Sequence, residues 1–387
     1  MFAKRTNWSL ETNRLSAALA AHRASGKRLL DLTISNPTEF GFEYDEKAIR
    51  EALSGAGVLA YEPNPKGLPS ARAAVARYYS ERGARVLEED IFLTASTSEA
   101  YSFILRLLCD PDAEVLVPSP SYPLFDFLAD IHDVHLVRYP LIYEDRWQID
   151  FAELERAITK RTRGIIIVNP NNPTGHYVKQ AEMERLNQIC AARELALIAD
   201  EVFFDFSMEH SVTRRSFAAN PQALTLTLSG LSKISGLPQM KLAWLAVSGP
   251  EQLKSQASER LEVIADTFLS VSAPVQLALP ALLAQRFGFQ EQVKRRLRCN
   301  MEEMDRQLAR NQSCSRLKIE GGWYGVLRIQ ALRDDEEFAV RLVEKHGVYT
   351  HPGHFYDFPE QIYLIISLLA PEEDFAEGLG RLLSYLA

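Results

Sequence analysis

Between residues 90 and 250 the chain alternates short, wholly apolar runs with stretches whose apolar positions recur at helical spacing. The apolar runs are "DIFLTA" (90–95), "EVLVPSP" (114–120), "GIIIVNP" (164–170), "LALIADEVF" (195–203), "ALTLTLSG" (223–230) and "LAWLAVSG" (242–249). After the first of them Ala100, Phe103, Ile104, Leu107 and Leu108 fall on one helical face. A strand that does not alternate with polar residues is buried on both sides. The pattern therefore predicts an α/β fold, with a mostly parallel sheet covered by helices on both faces. From about residue 285 the texture changes to a long polar helix, "FQEQVKRRLRCNMEEMDRQLARN", followed by "GGWYGVLRIQ", "EEFAVRLVEKHGVYTHPG" and "QIYLIISLL". This stretch predicts a smaller α+β domain, with an N-terminal helix over roughly 9–24 packed on it. The expected division is 46–284 for the large domain, with 1–45 and 285–387 together forming the small one.

Composition narrows the class. The chain has 387 residues, 47% hydrophobic and 24% charged, as in an ordinary soluble protein. Its net charge of −8 and the lack of a basic run speak against a nucleic-acid partner. Cys109, Cys190, Cys299 and Cys314 are far apart, with no CxxC and no Cys/His cluster, so reduced thiols and no metal are expected. The opening "MFAKRTNWSL" lacks the apolar core of a signal peptide, and no run is long enough to span a bilayer. A cytoplasmic protein that does not engage membranes is expected.

The polar residues that stand out fall where ligands bind in such sheets, at the carboxyl ends of strands. Asp200 closes "LALIA", Lys233 follows "TLTL", and "NPNNPTG" (169–175) follows "GIIIV". "PSPSYP" follows "EVLV", and Ser96-Thr97-Ser98 opens the helix after "DIFLTA". Taken singly these are a cap, a solvated lysine and ordinary turns. Taken together they match an aldehyde cofactor. A deprotonated lysine at a cleft floor forms a Schiff base. In pyridoxal phosphate the ring nitrogen needs a carboxylate, which Asp200 supplies, and the ring oxygen needs a donor, which Asn172 supplies. The phosphate needs a helix N-terminus, where Ser96 and Thr97 stand, and Tyr122 offers a stacking face.

From about residue 27 onward the sequence resembles the class I/II aminotransferases of pyridoxal-phosphate fold type I. The resemblance rests on "LLDLTISNPTEF", "AYEPNPKGLPSARAAVARYY", "TASTSEA", "VLVPSPSYPLF", "VNPNNPTG", "ADEVF", "SGLSKISGLPQMKLAW" and "APEEDFAEGL", in that order. It implies that Lys233 is the Schiff-base lysine and proton shuttle, with Asp200, Asn172 and Tyr122 around the ring and Ser96 and Thr97 at the phosphate. Tyr61 matches a tyrosine reaching the neighbouring subunit's phosphate, which implies a homodimer with shared sites. Ser35 and Asn36 match a loop that closes on the substrate. There are also departures. Phe203 stands where a ring-oxygen tyrosine is usual, Lys241 where the phosphate arginine is usual, and Gly230 replaces a serine or threonine. Ser96 stands at the glycine of the phosphate turn. In "YLIIS", Ile365 occupies the place of the arginine that forks onto the substrate carboxylate. Arg328, His351 and His354, and more weakly Arg14, are the candidate substitutes. The implied activity is transfer of an amino group from an amino acid or other primary amine to a 2-oxo acid. A lyase or decarboxylase of the same fold is the alternative. A non-catalytic sensor is more remote, because the chain has no residues left over for a DNA-binding domain.

Overall fold

The computed structural model of the chain describes residues 1–208, 214–330 and 332–386. Its strands, numbered along the chain, are β1 (Leu30–Asp31), β2 (Ile91–Thr94), β3 (Glu114–Ser119), β4 (His135–Glu144), β5 (Arg146–Ile149), β6 (Thr162–Val168) and β7 (Ala196–Asp200). There follow β8 (Thr225–Gly230), β9 (Ala243–Ser248), β10 (Cys314–Arg316), β11 (Tyr324–Ile329), β12 (Val348–Tyr349), β13 (His351–Pro352) and β14 (Tyr363–Ser367).

The large sheet has the order β2-β9-β8-β7-β6-β3-β4-β5. From β8 to β4 every pairing is parallel, whereas β9 runs antiparallel to both neighbours and β5 antiparallel to β4. Every residue of β2, β7 and β8 is buried, as their unbroken apolar character requires. On one face Ile166, Ile198, Leu226 and Leu245 pack with Ala100, Phe103 and Ile104 of the helix Thr97–Leu108. On the other, Ile165, Ile167 and Leu197 meet Leu186 and Ile189 of the helix Gln180–Arg193. Nearer β2, that face packs Leu93 and Trp244 against Val75 and Leu279. Each such large side chain contributes about 1.5–3 kcal/mol on burial.

The second sheet, β10-β11-β14-β13, is antiparallel throughout, and β1 pairs with β12 in parallel. "GVYTHPG" is thus divided between two sheets, because β12 and β13 are two residues each. The long helix Arg286–Leu308 crosses beneath, and its buried Asn300 donates from Nδ2 to the Leu368 and Ala370 carbonyls, both at 2.8 Å. The N-terminal helix runs Arg14–Ala24, starting later than the sequence suggests because Asn13 Oδ1 caps it at Ser16 N (2.7 Å). Its Leu15 and Ala18 pack on Ala339, Val340 and Val343. Among the described residues, no helix is long and apolar enough to cross a membrane.

Candidate active site

The carboxyl ends of β6, β7 and β8 open onto one cavity of about 130 Å³. Asp200 ends β7, and β8 runs into the one-turn helix Leu231–Ile234, which carries Lys233. Gly230 joins the two, and a Cβ there would lie 2.8 Å from the Ala243 Cβ, so a larger residue would push β8 from β9. Ser35, Thr97, Tyr122, Asn172, Asp200 and Lys233 all line the cavity.

Lys233 Nζ donates to the Ser35 carbonyl at 3.3 Å and lies 4.9 Å from the Trp323 ring centroid and 5.5 Å from that of Phe203. Burial lowers its pKa to about 8, and Asp200 only partly opposes this. The amine is therefore far more often neutral, and so nucleophilic, than a solvated lysine. Asp200 is 8% exposed, accepting from Tyr101 Oη (3.1 Å) and Val202 N (3.1 Å). Burial pushes it up to about 6, and those two hydrogen bonds and Lys233 hold it from rising further. Asn172 lines the cavity, and its Oδ1, an acceptor, is buried without a hydrogen-bond partner. Its neighbour Asn171 fixes the loop through Pro120 O (3.0 Å) and Thr174 Oγ1 (2.9 Å).

At the helix Thr97–Leu108, Ser96 Oγ accepts from Glu99 N (3.1 Å), and Glu99 Oε2 accepts from Ala95 N (2.6 Å). This reciprocal box engages the Ser96 hydroxyl and leaves Thr97 facing the cavity. Asn36 likewise works as a cap, accepting from Thr38 N (3.2 Å) and donating to Glu39 Oε1 (2.7 Å), and does not line the cavity. Lys241 is exposed, with φ 50°. Tyr61, 71% exposed, borders a separate hollow of about 410 Å³ with Ser270 and Gln276.

The candidate substitutes for a carboxylate arginine stand elsewhere. Ile365, 1% exposed, is flanked by Val326 on β11 and His351 on β13. Arg328 pairs with Tyr363, two residues along β11 from Val326, and is absent from the cavity lining. His351 bonds Tyr356 Oη through Nδ1 (3.1 Å), and burial lowers its pKa to about 4, leaving it neutral at pH 7. His354 Nδ1 is bound to the fully buried Asp335 (2.7 Å). Arg14 pairs with Glu337 on the surface. Three aromatic residues complete the site. Tyr101, which the sequence reading does not single out, reaches Asp200 from one helical turn after Thr97, a spacing that could have pointed to it. Phe203 lines the cavity and packs edge-on against Trp323, with centroids 5.1 Å apart. Tyr324 lines it too, its phenol pushed up to about 12 by burial and therefore always a donor at neutral pH.

The sequence profile described as aminotransferase class I and II matches residues 27–379. The chain belongs to this family. It is 28% identical over 372 residues to the alanine aminotransferase of Mycobacterium tuberculosis, covering 94% of this chain and 86% of that one. To the glutamate-pyruvate aminotransferase of Escherichia coli it is 28% identical over 374 residues, covering 94% and 91%. The alanine aminotransferase structure from Pyrococcus furiosus superposes with a TM-score of 0.90 at 25% identity, covering 100% of this chain and 99% of that one. The architecture is that of fold type I, and the chain is an aminotransferase. Enzymes of this family use pyridoxal phosphate, act on amino and 2-oxo acids, and are generally dimeric.

Beside Asp200 a second carboxylate, Glu201, is 2% exposed and does not reach the cavity. It accepts from Ser216 Oγ (2.6 Å) and Phe217 N (2.8 Å), yet burial raises its pKa from 4.5 to about 7. The folded state therefore binds more protons than the unfolded chain between about pH 4.5 and 7, so this group's contribution weakens as pH rises through that window. Thermal melts of Glu201→Gln across pH 4.5–8 should show a shallower decline than the native protein. An identical slope would mean that Glu201 is ionised throughout.

Proposed function

We propose that this aminotransferase binds pyridoxal phosphate in the Lys233 cavity and moves an amino group from an amino acid or other primary amine to a 2-oxo acid. The observation that carries the reading is one cavity shared by a lysine whose pKa burial lowers to about 8 and a buried strand-end carboxylate. Asn172, whose Nδ2 is a donor, and the helix N-terminus at Thr97 both line the cavity and suit the cofactor's ring oxygen and phosphate. When bound, the cofactor supplies an electron sink that acidifies the α-carbon of the amine. Asp200, held by Tyr101 and Val202, presents a fixed carboxylate to the ring nitrogen. Tyr122 offers its ring face at the mouth. Lys233 Nζ would be the general base that takes and carries the proton of the donor's α-carbon. Ser35 O accepts from that amine at 3.3 Å when it is free. Thr97 takes the phosphate end from the cavity wall; Ser96 and Lys241 are assigned there on the resemblance alone, since neither lines the cavity. We place the enzyme in the cytoplasm and residues 46–284 as the cofactor-bearing domain, with 1–45 and 285–387 closing over it.

The test is a panel of amine donors and oxo acids read by cofactor absorbance in single half-reactions. Conversion to the pyridoxamine form supports transamination, whereas release of a cleaved product with the original spectrum would identify a lyase instead. Borohydride reduction and peptide mapping should place the cofactor on Lys233. An adduct on Lys241 would overturn the assignment.

We further propose a homodimer whose sites are shared through Tyr61, which lies exposed outside its own chain's cavity. Mixing inactive Tyr61→Ala and Lys233→Ala proteins should then restore part of the activity, because hybrid dimers hold one intact site. Proven subunit exchange without recovery would refute sharing.

A further inference from the structure

The helix that carries Lys233, Leu231–Ile234, is a single turn. A helix so short does not hold its own geometry in isolation, so the amine's position depends on what grips the turn from outside. Two side chains from distant parts of the sequence do so. Gln290 Nε2 donates to the Ile234 carbonyl at 2.9 Å, and Tyr44 Oη donates to the Gly236 carbonyl at 2.7 Å.

Gln290 is itself fixed. Its Nε2 also donates to Asp205 Oδ2 at 2.7 Å, and Arg82 clamps Asp205 through Nε (2.7 Å) and Nη2 (2.6 Å). Gln290 is 8% exposed and Asp205 6%. On the same long helix Phe289 stacks on Tyr44, with centroids 5.9 Å apart and planes at 15°. Gln292 grips both the N–H and the carbonyl of Glu43 at 2.9 Å. Gly236 has φ +64°, and a Cβ there would lie 2.4 Å from the Phe289 ring. The turn therefore lies against this helix as closely as a glycine permits. At its other end the helix holds the chain after β14 through Asn300.

We propose that Gln290 is a positioning residue for Lys233. It sets where the amine stands by fastening the carbonyl one residue beyond it to the Asp205–Arg82 pair, with Tyr44 as the second fastener. A donor–acceptor misplacement near 1 Å can cost roughly a hundredfold in rate. A loosened turn would also let the amine tilt away from the Phe203 and Trp323 rings into better-solvated positions. The inference rests on Lys233 being the reacting amine.

The test is Gln290→Met, which keeps length and volume and removes the donor. In full-length protein stripped of cofactor, trinitrobenzenesulfonate labelling of Lys233 is followed by peptide mapping as a function of pH. The labelling midpoint should move up toward the ordinary lysine range. In the reconstituted enzyme kcat should fall roughly ten- to hundredfold with KM nearly unchanged. Glu291→Gln, at an exposed neighbouring position, should change neither. A merely structural Gln290 would lower Tm and leave midpoint and kcat as in the native enzyme, and that result would overturn the proposal. Should Gln290→Met fail to fold, Tyr44→Phe decides: the same upward shift supports the fastening, and an unmoved midpoint sinks it. Borohydride mapping to another lysine would defeat the reading of Lys233 itself. An unmoved midpoint with Lys233 correctly labelled defeats this inference alone.

Discussion

Replacing Lys233 by alanine should lower kcat for transamination by about 10⁴-fold or more, because it removes nucleophile and proton carrier together. No neighbour can take over. Among the described residues lining the cavity Lys233 is the only amine; burial raises the Tyr122 and Tyr324 phenols above their ordinary range, and Asp200 is engaged by Tyr101 and Val202. The room that the lost side chain leaves beside the Phe203 and Trp323 rings should accept a small amine, so methylamine should restore a measurable part of the rate. The same substitution should raise the Tm of cofactor-free protein at pH 7. Lys233 has a folded pKa of about 8 against 10.5, so the folded state binds fewer protons between those values and carries the full burial penalty below pH 8. The Tm gain should shrink as pH rises from 8 toward 10.5. Loss of both activity and Tm would instead indicate that Lys233 holds the structure together.

The parts of the site legible in the sequence share one property: they lie next to an apolar strand that announces itself. Asp200 and Lys233 follow "LALIA" and "TLTL", and parallel pairing of β7 with β8 brings their ends together without any further information. The residues that were not legible act across long stretches of chain. Gln290 sits within a helix whose surface looks uniformly polar, and only the tertiary structure reveals that it meets Ile234, 56 positions away. Tyr44 and Gly236 are 192 apart. Packing hides the rest. Arg328 stands two residues from Val326 on the same side of β11, yet it does not line the cavity. His354 looked available, yet Asp335 captures it. Local pattern reports burial and turn chemistry, whereas partners of polar side chains are set by packing that no window of sequence contains.

The substrate carboxylate supplies the second large effect. The residues around Ile365 are neutral: Val326 is apolar, and His351 is kept uncharged at pH 7 by burial. Tyr324 and Arg328 flank Val326 on the same side of β11, and of the two only Tyr324 lines the cavity. The carboxylate of donor and acceptor is therefore expected to be held by neutral donors, chiefly Tyr324 and backbone groups near Ser35. A hydrogen bond from a neutral donor to the carboxylate is worth about 1.5–3 kcal/mol, without the ion-pair attraction and the second, parallel bond that an arginine fork adds. Affinity for simple α-amino acids should accordingly be weak. Ile365→Arg should lower KM for both alanine and its oxo acid by roughly ten- to a hundredfold, since about 1.4 kcal/mol is a factor of ten. It should also lower Tm, because Ile365 is 1% exposed and the guanidinium must be desolvated. Tyr324→Phe should raise KM for both partners about tenfold. Arg328→Ala should leave kcat/KM within about twofold, as a side chain outside the site does. His354→Ala should reduce Tm by leaving Asp335 short of a partner, with KM unchanged. His351→Ala should act through packing on Tyr356 and alter KM no more than Tyr324→Phe. A hundredfold loss in kcat/KM from Arg328→Ala or His354→Ala would show that a cation does reach the substrate when the cavity closes. Native turnover of alanine at micromolar KM, with Tyr324→Phe silent, would place the carboxylate on a group outside this face altogether.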